Sequence, residues 1–491
     1  MKSPQPAPGP ESRELGRRSP VLLVCGCALM VALTVALFLL IRDRGALLVA
    51  QPPVDAPGVA PSPSAGDSFL HVLVALTAII VLGQVLARLF ARLAQPPVIG
   101  EVVAGILLGP SLLGPDLSAF ILPPAVAPFL SIIAQLGVVL YMFLVGLELN
   151  PALLKHRAST AVAVSHASIL LPFVLGALLA IPLYPRLSTS DVPFTSFALF
   201  MGVAMSITAF PVLARILTDY RMSQTPLGVL ALTCAAVNDI AAWCLLAFVV
   251  GVAKAEVGQG LFVVAGAVAF VAFMFLLARP AVSWISRRWD KQDQSRTLAI
   301  FVLVALLLSA LATEAIGIHA IFGAFVLGVL IPHDSAAARA LTGQLERVVT
   351  ILLLPAFFAL TGMRTRIDLL NEPGQWLICG LLILVATLGK FGGTLAAARL
   401  THLGWRNAAI LGTLMNTRGL MELIVLTVGL DLGVISPALF SMMVIMALVT
   451  TALTSPTLRL LKARGLPDTE VELLAAPVAK PGVRQHLTDY R

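Results

Sequence analysis

Charge is scarce in this sequence: Asp, Glu, Lys and Arg make up 12% of its 491 residues, where ordinary soluble domains carry about 25%. Hydrophobic residues make up 58%, more apolar surface than one soluble core can hide. The composition places the chain in a bilayer. Cysteine is sparse as well. Cys25, Cys27, Cys234, Cys244 and Cys379 all lie in apolar stretches, without zinc-ligand spacing or a paired extracellular framework, which excludes a disulfide scaffold or a cysteine metal site. There is no basic run either: the formal charge of +8 is spread over short loops, which speaks for membrane topology and against a nucleic-acid partner.

Long apolar runs are what the chain has in place of charge. About fourteen stretches are long enough to cross roughly 30 Å of hydrocarbon. They begin near Pro20, Phe69, Pro97, Val126, Ser159, Ser196, Leu227, Val257, Thr297, Ile318, Leu345, Gln375, Trp405 and Ile435. Those from Pro97 to Pro115 and from Ile318 to Pro332 are short or interrupted by Gly and Pro. Alternate loops are rich in Arg and Lys, among them those with Arg88 and Arg92, Arg215 and Arg221, and Arg459 and Lys462, while the opposite loops are nearly bare. The positive-inside rule then puts both termini in the cytoplasm of a multi-pass protein of the cell membrane. The expected organisation is a cytoplasmic N-terminus (1–19), a membrane anchor (20–41), an exported Pro/Ala-rich linker (42–68), a transmembrane domain (69–461) and a short cytoplasmic tail (462–491). The first run is read as a retained anchor and not a signal peptide, because its roughly 22 apolar residues exceed an h-region of about 7 to 15.

Faint internal repetition suggests two units of opposite orientation. Phe143-Leu-Val-Gly146 has a counterpart in Phe358-Ala-Leu-Thr-Gly362, Gly202-Val-Ala-Met205 in Gly412-Thr-Leu-Met415, and Val103-Ala-Gly105 in Val326-Leu-Gly328. Each unit holds six spans. The run that starts near Val257 is a seventh crossing between them, so the second unit starts from the other side and is inverted. The expected fold is an all-α polytopic membrane protein of about 13 core helices and one N-terminal span.

Ionisable groups inside the spans are the functional candidates, since each costs at least about 2.5–3.5 kcal/mol at mid-bilayer unless paired or hydrated. Asp239, beside Asn238, lies near the middle of its run, and Lys390, one of seven lysines, lies deep in another. Arg418 and Glu422 are four residues apart and share a face of a continuous helix. Plainer roles stand beside these: a structural hydrogen-bond acceptor for Asp239, a neutralising cation for Lys390, an internal ion pair for Arg418 with Glu422. Glu101, Glu148 and Glu314 sit nearer span ends, Glu148 being the best functional candidate of the three. Two segments suggest broken helices. Ser206-Ile-Thr208-Ala-Phe210-Pro211 carries a mid-span proline, which removes a helical hydrogen bond and frees carbonyls to line a cavity. Asn416-Thr417-Arg418-Gly419 is a polar, glycine-containing match in the second half; a simple proline kink with a polar packing seam is the alternative.

These residues carry a family resemblance. Gln95-Pro-Pro-Val-Ile-Gly-Glu-Val-Val-Ala-Gly-Ile-Leu-Leu-Gly-Pro110, Ser206 to Leu217, Ala235-Ala-Val-Asn-Asp-Ile-Ala-Ala-Trp243, Gly317 to Phe325 and Asn416-Thr-Arg-Gly-Leu-Met-Glu-Leu-Ile-Val425 resemble the monovalent cation:proton antiporters, closest to plant cation/H⁺ exchangers and bacterial potassium-efflux antiporters. The resemblance covers roughly Phe69 to Leu461. It implies a homodimer in the lipid bilayer whose subunits each have a dimerisation domain and a mobile transport domain, with two crossed unwound helices formed around Phe210, Pro211, Asn416, Thr417 and Gly419. It also implies that K⁺ or Na⁺ is exchanged for H⁺ without a cofactor. By position Asp239 matches the ion- and proton-binding carboxylate, where a monovalent cation would sit, Asn238 its partner, Thr208 a ligand, and Lys390 and Arg418 supporting charges, with Glu422 and Glu148 as further carboxylates. Solute symport on the same fold, or a membrane sensor, are the competing functions. Only about thirty residues follow the last span, so gating through a large soluble C-terminal domain, as in potassium-efflux relatives, is not expected.

Overall fold

A computed structural model describes residues 20–46, 48, 65–123, 126–148, 158–189, 191–222, 225–254, 260–290, 295–317, 319–331 and 336–463. The expected N-terminus, most of the linker and nearly all of the tail lie outside the described residues. The described residues are helical almost throughout. In order come α1 (Pro20–Gly45), α2 (Ala65–Arg92), α3 (Pro97–Leu108), two short turns at Pro110–Leu113 and Pro115–Ile121, α4 (Ala127–Glu148), α5 (Ala158–Leu187), α6 (Phe194–Ser206), α7 (Phe210–Asp219) and α8 (Pro226–Lys254). Then follow α9 (Gly260–Phe273, running through the π segment Met274–Ala278 into Arg279–Asp290), α10 (Ser295–Ile316), α11 (Ala320–Leu330), and α12 (Ala336–Val348, the π segment Val349–Leu353, then Leu354–Met363). The last are α13 (Pro373–Leu400), α14 (Trp405–Met415), α15 (Leu420–Asp431) and α16 (Pro437–Ala463).

The expected starts at Val257 and Ile318 lie outside the described residues; each of the others falls on or beside one of these helices. Among the described residues ten are long and apolar enough to span, and the pair α14 and α15, bent by 43°, makes an eleventh; α3 and α11 are shorter apolar helices. Leu276, Leu377 and Leu388 are exposed on the outer surface, where in water they would form an apolar patch and in a bilayer they meet lipid.

The repeat is visible in which helices pack together. α2 lies on α3 as α10 lies on α11; α3 on α12 as α11 on α4; α5 on α6 as α13 on α14; and α5 on α8 as α13 on α16. The glycines of the faint repeat motifs sit at these crossings. A Cβ on Gly105 would stand 2.2 Å from the Ala359 carbonyl oxygen of α12, and one on Gly328 would stand 2.3 Å from the Phe143 carbonyl oxygen of α4. Small residues let helices approach this closely where lipid offers no hydrophobic drive to association. Gly105→Ala and Gly328→Ala are each expected to destabilise by about 1–3 kcal/mol, because backbone cannot yield as a side chain does. Gly380→Ala, which opens onto empty space, should be neutral. Thermal unfolding in detergent checks this, and equal melting temperatures for Gly105→Ala and Gly380→Ala would refute the packing argument.

Two helix groups result: α2, α3, α4 and α9 to α12 in one, α5 to α8 and α13 to α16 in the other. α1 joins the second through α5, with Ile41 buried and the Phe38 and Phe173 rings 5.9 Å apart.

Candidate ion-binding site

Two interruptions of the helical chain meet in the second group. Between α6 and α7, Ile207 (φ −74°, ψ 142°) and Ala209 (φ −86°, ψ 98°) are extended; between α14 and α15 the chain leaves the helix over residues 416–419. The segments bind each other. The Ala209 N–H donates to the Thr417 carbonyl at 3.0 Å, and the Thr208 hydroxyl donates to the Met415 carbonyl at 3.0 Å. Gly419 lies against Val212, whose Cγ2 would be 2.7 Å from an added Cβ.

Phe210 and Pro211, expected in the unwound stretch, are not there. They are the first two residues of α7, where a helix has no hydrogen bond for proline to remove and its fixed φ suits the first turn. The residues that leave the helix are Ile207, Thr208 and Ala209. Asn416, Thr417 and Gly419 do lie outside α14 and α15.

α8 brings Asn238 and Asp239 to this junction, both fully buried, and α13 brings Lys390, also fully buried. Thr208 is the hub. Its hydroxyl accepts from Lys390 Nζ at 2.6 Å and from Asn238 Nδ2 at 3.2 Å while donating to Met415. A hydroxyl has one proton and two lone pairs, so Thr208 is saturated here, and a cation could take it as ligand only by displacing a partner. Asn238 Nδ2 also donates to Ser168 Oγ at 2.9 Å, and Ser168 donates to the Ser165 carbonyl at 2.9 Å.

Asp239 stands apart from this network. Among the described residues no side chain hydrogen-bonds to either carboxylate oxygen and no cationic side chain forms an ion pair with it, Lys390 being bound to Thr208 instead. Lys390 and the N–H of Phe210, at the start of α7, are the positive groups whose field reaches it. Asn416 Oδ1, Glu422 Oε2 and Thr394 Oγ1 are further buried oxygens without a partner. Oxygen is the ligand that hard cations take.

Arg418 does a different job. Its guanidinium donates to the carbonyls of Ala204 (3.0 Å) and Met205 (2.9 Å) and to Glu422 Oε1 (3.0 Å), with both side chains fully buried. It thus closes the C-terminal end of α6, where a cation complements the helix dipole, and Glu422 occupies the first turn of α15, where an anion does. Thr451 of α16 holds the Arg418 backbone at both ends, accepting from its N–H at 2.9 Å and donating to its carbonyl at 2.7 Å. Glu148 ends α4, but its side chain lies outside the described residues. Glu314 accepts from the Ala320 N–H at 2.9 Å and caps α11. No bond among the described residues links the half-buried Glu101 to the junction.

Ser168 and Thr451 were not singled out from sequence. Ser and Thr in spans mostly bond to their own helix backbone, and nothing local marks the two that reach across.

The sequence profile of the family described as sodium/hydrogen exchanger, transmembrane, matches residues 72–462. The chain is 46% identical over 396 residues to the Na(+)/H(+) antiporter NhaS4 of Synechocystis sp. (strain ATCC 27184 / PCC 6803 / Kazusa), covering 79% of this chain and 97% of that protein. It is 39% identical over 406 residues to Cation/H(+) antiporter 20 of Arabidopsis thaliana, covering 79% of this chain and 48% of that one. With K(+)/H(+) antiporter 1 of Saccharomyces cerevisiae it shares 34% over 410 residues, covering 81% and 47%. The chain therefore spans about half the length of the plant and yeast relatives and nearly all of the cyanobacterial one. Among solved structures, the sodium proton antiporter MjNhaP1 from Methanocaldococcus jannaschii at pH 8 superposes with a TM-score of 0.61 at 17% identity, over 80% of this chain and 99% of that one, a likeness of fold.

Proposed function

This chain belongs to the sodium/hydrogen exchanger family, and from that premise we propose that it is an antiporter exchanging a monovalent cation, K⁺ or Na⁺, for H⁺, one for one, at Asp239. The observation that carries this reading is the Asp239 carboxylate, buried at the junction of the two interrupted helices with no side-chain hydrogen bond and no ion pair among the described residues. A bare buried carboxylate costs several kcal/mol. A proton relieves that cost and so does a cation, so the two compete for one site. Movement of the second helix group against the first would then carry either ion across.

The one-for-one ratio follows from the charges around it. Asp239, Lys390, Arg418 and Glu422 sum to zero, and the neighbour of Asp239 is an amide, which does not ionise. Loaded with a proton or with a monovalent cation, the site carries the same charge, so a full cycle moves none. Proton flux driven by K⁺ or Na⁺ gradients in proteoliposomes tests the exchange, and flux with neither cation would sink it. A clamped potential of 100 mV, with Na⁺ as transported ion, should leave the end-point unchanged; one net charge per cycle would shift it by about 50-fold.

The proposal includes a cell-membrane homodimer with the Arg-rich end and both termini in the cytoplasm, and α1 as a retained anchor, supported by its packing on α5.

A further inference from the structure

The Arg-rich end holds a cavity whose lining includes none of the residues of the helix junction. It measures about 340 Å³ and is lined by Gln95 and Pro96 from the α2–α3 link, Arg215, Asp219 and Tyr220 from the end of α7, and Arg459 from α16. We propose that this cavity binds a phosphoryl anion, the group shared by free phosphate and an anionic lipid headgroup, and that the bound anion ties the α2–α3 link to α7 and α16.

Both arginines keep donors free for it. Arg459 Nε is fixed by Tyr220 Oη at 3.0 Å, and its terminal nitrogens make no hydrogen bond among the described residues. Arg215 meets the one carboxylate of the lining, Asp219, at 3.9 Å, beyond hydrogen-bond length. An Arg fork matches the oxygens of a phosphoryl group, two bonds at a time. More positive charge stands around the cavity: Lys462 Nζ is 3.4 Å from the Tyr220 carbonyl and 5.4 Å from its ring centre, and Arg406 donates to the carbonyls of Leu461 and Lys462 at 3.2 and 3.1 Å. Arg221 follows Tyr220 directly. The lining thus carries two arginines against one carboxylate, with three more cationic side chains on residues next to it or bonded to its neighbours.

Gln95 supplies the contact from the other helix group. Its Oε1 is buried without a partner, and half a turn of the amide presents NH₂ donors to an anion in the cavity. The position suits such a ligand, because the cavity opens at span ends on the face that the positive-inside rule assigns to the cytoplasm, where membranes carry anionic lipid. Gln95 and Pro96 belong to the first helix group, Arg215 and Arg459 to the second. An anion held by both restrains the motion between them and slows exchange.

The test titrates the purified full chain, in uncharged detergent, with inorganic phosphate and separately with dihexanoyl phosphatidic acid. At least one probe should bind, and Arg215→Ala with Arg459→Ala should weaken it by about 10-fold or more, the loss expected for charge-assisted hydrogen bonds. Arg459→Lys, which keeps charge and fold but loses the fork, should bind at intermediate strength. Gln95→Ala should weaken binding less than the arginine pair does. Phosphate alone binding identifies the free anion as ligand, and the lipid alone identifies the headgroup. Binding of neither probe, or undiminished binding by the arginine variants, overturns the site; undiminished binding by Gln95→Ala overturns the tie between groups. None of these outcomes depends on ion exchange.

Discussion

Asp239→Asn is expected to abolish cation–proton exchange while leaving the protein folded and inserted. Asn has the shape of Asp but cannot take up or give up a proton and offers a cation no charge. Its folding cost is small for the same reason: an uncharged amide is cheaper to bury than a bare carboxylate. The packing around Asp239 is apolar on α8, with Ala235, Ala236, Ala242 and Trp243 all buried, and an isosteric change does not disturb it. Exchange in proteoliposomes should fall by at least about 100-fold, the loss of more than 2.7 kcal/mol of ion stabilisation. A monodisperse protein of unchanged melting temperature separates loss of function from loss of fold. If the Asn variant still swapped either cation for protons at the parent rate, the site would lie elsewhere.

The same residues show how far the sequence could be read. Asp239 beside Asn238 stands out because polarity is rare in its run, and no tertiary knowledge is needed to see it. Span starts are equally legible, since length and hydropathy are local properties; even the short α3 and α11 announce themselves by their Gly and Pro. The repeat was faint in letters and clear in packing, because what the halves share is the position of a few glycines at helix crossings. Pro211 shows the limit. A proline within an apolar run reads the same whether it kinks a helix or begins a new one, and here the choice is made by the bond from Ala209 to Thr417, more than two hundred residues away. Lys390 is legible as a supporting charge, yet its bond is to Thr208. That partner is set by how α13 packs on α5 and α14, which no short window contains.

Arg418 was legible as a charge and illegible as a cap, and removing it should have the largest effect on stability. Arg418→Met keeps much of the volume but leaves the carbonyls of Ala204 and Met205 and the Glu422 carboxylate without their donor, all in a fully buried place. Breaking one side of a buried ion pair costs about 3–5 kcal/mol. Glu422→Gln should cost less, because Arg418 keeps both carbonyl acceptors and the amide oxygen can still accept from it. In the double variant, Arg418→Met with Glu422→Gln, no charge is stranded, so its loss should be smaller than the sum of the two single losses, with a coupling of about 1–3 kcal/mol. Melting temperatures of the four proteins in one detergent measure the cycle. Additive losses would mean that the pair does not act as a unit. An Arg418→Met protein as stable as the parent but inactive in exchange would move Arg418 from holding the end of α6 to handling the ion.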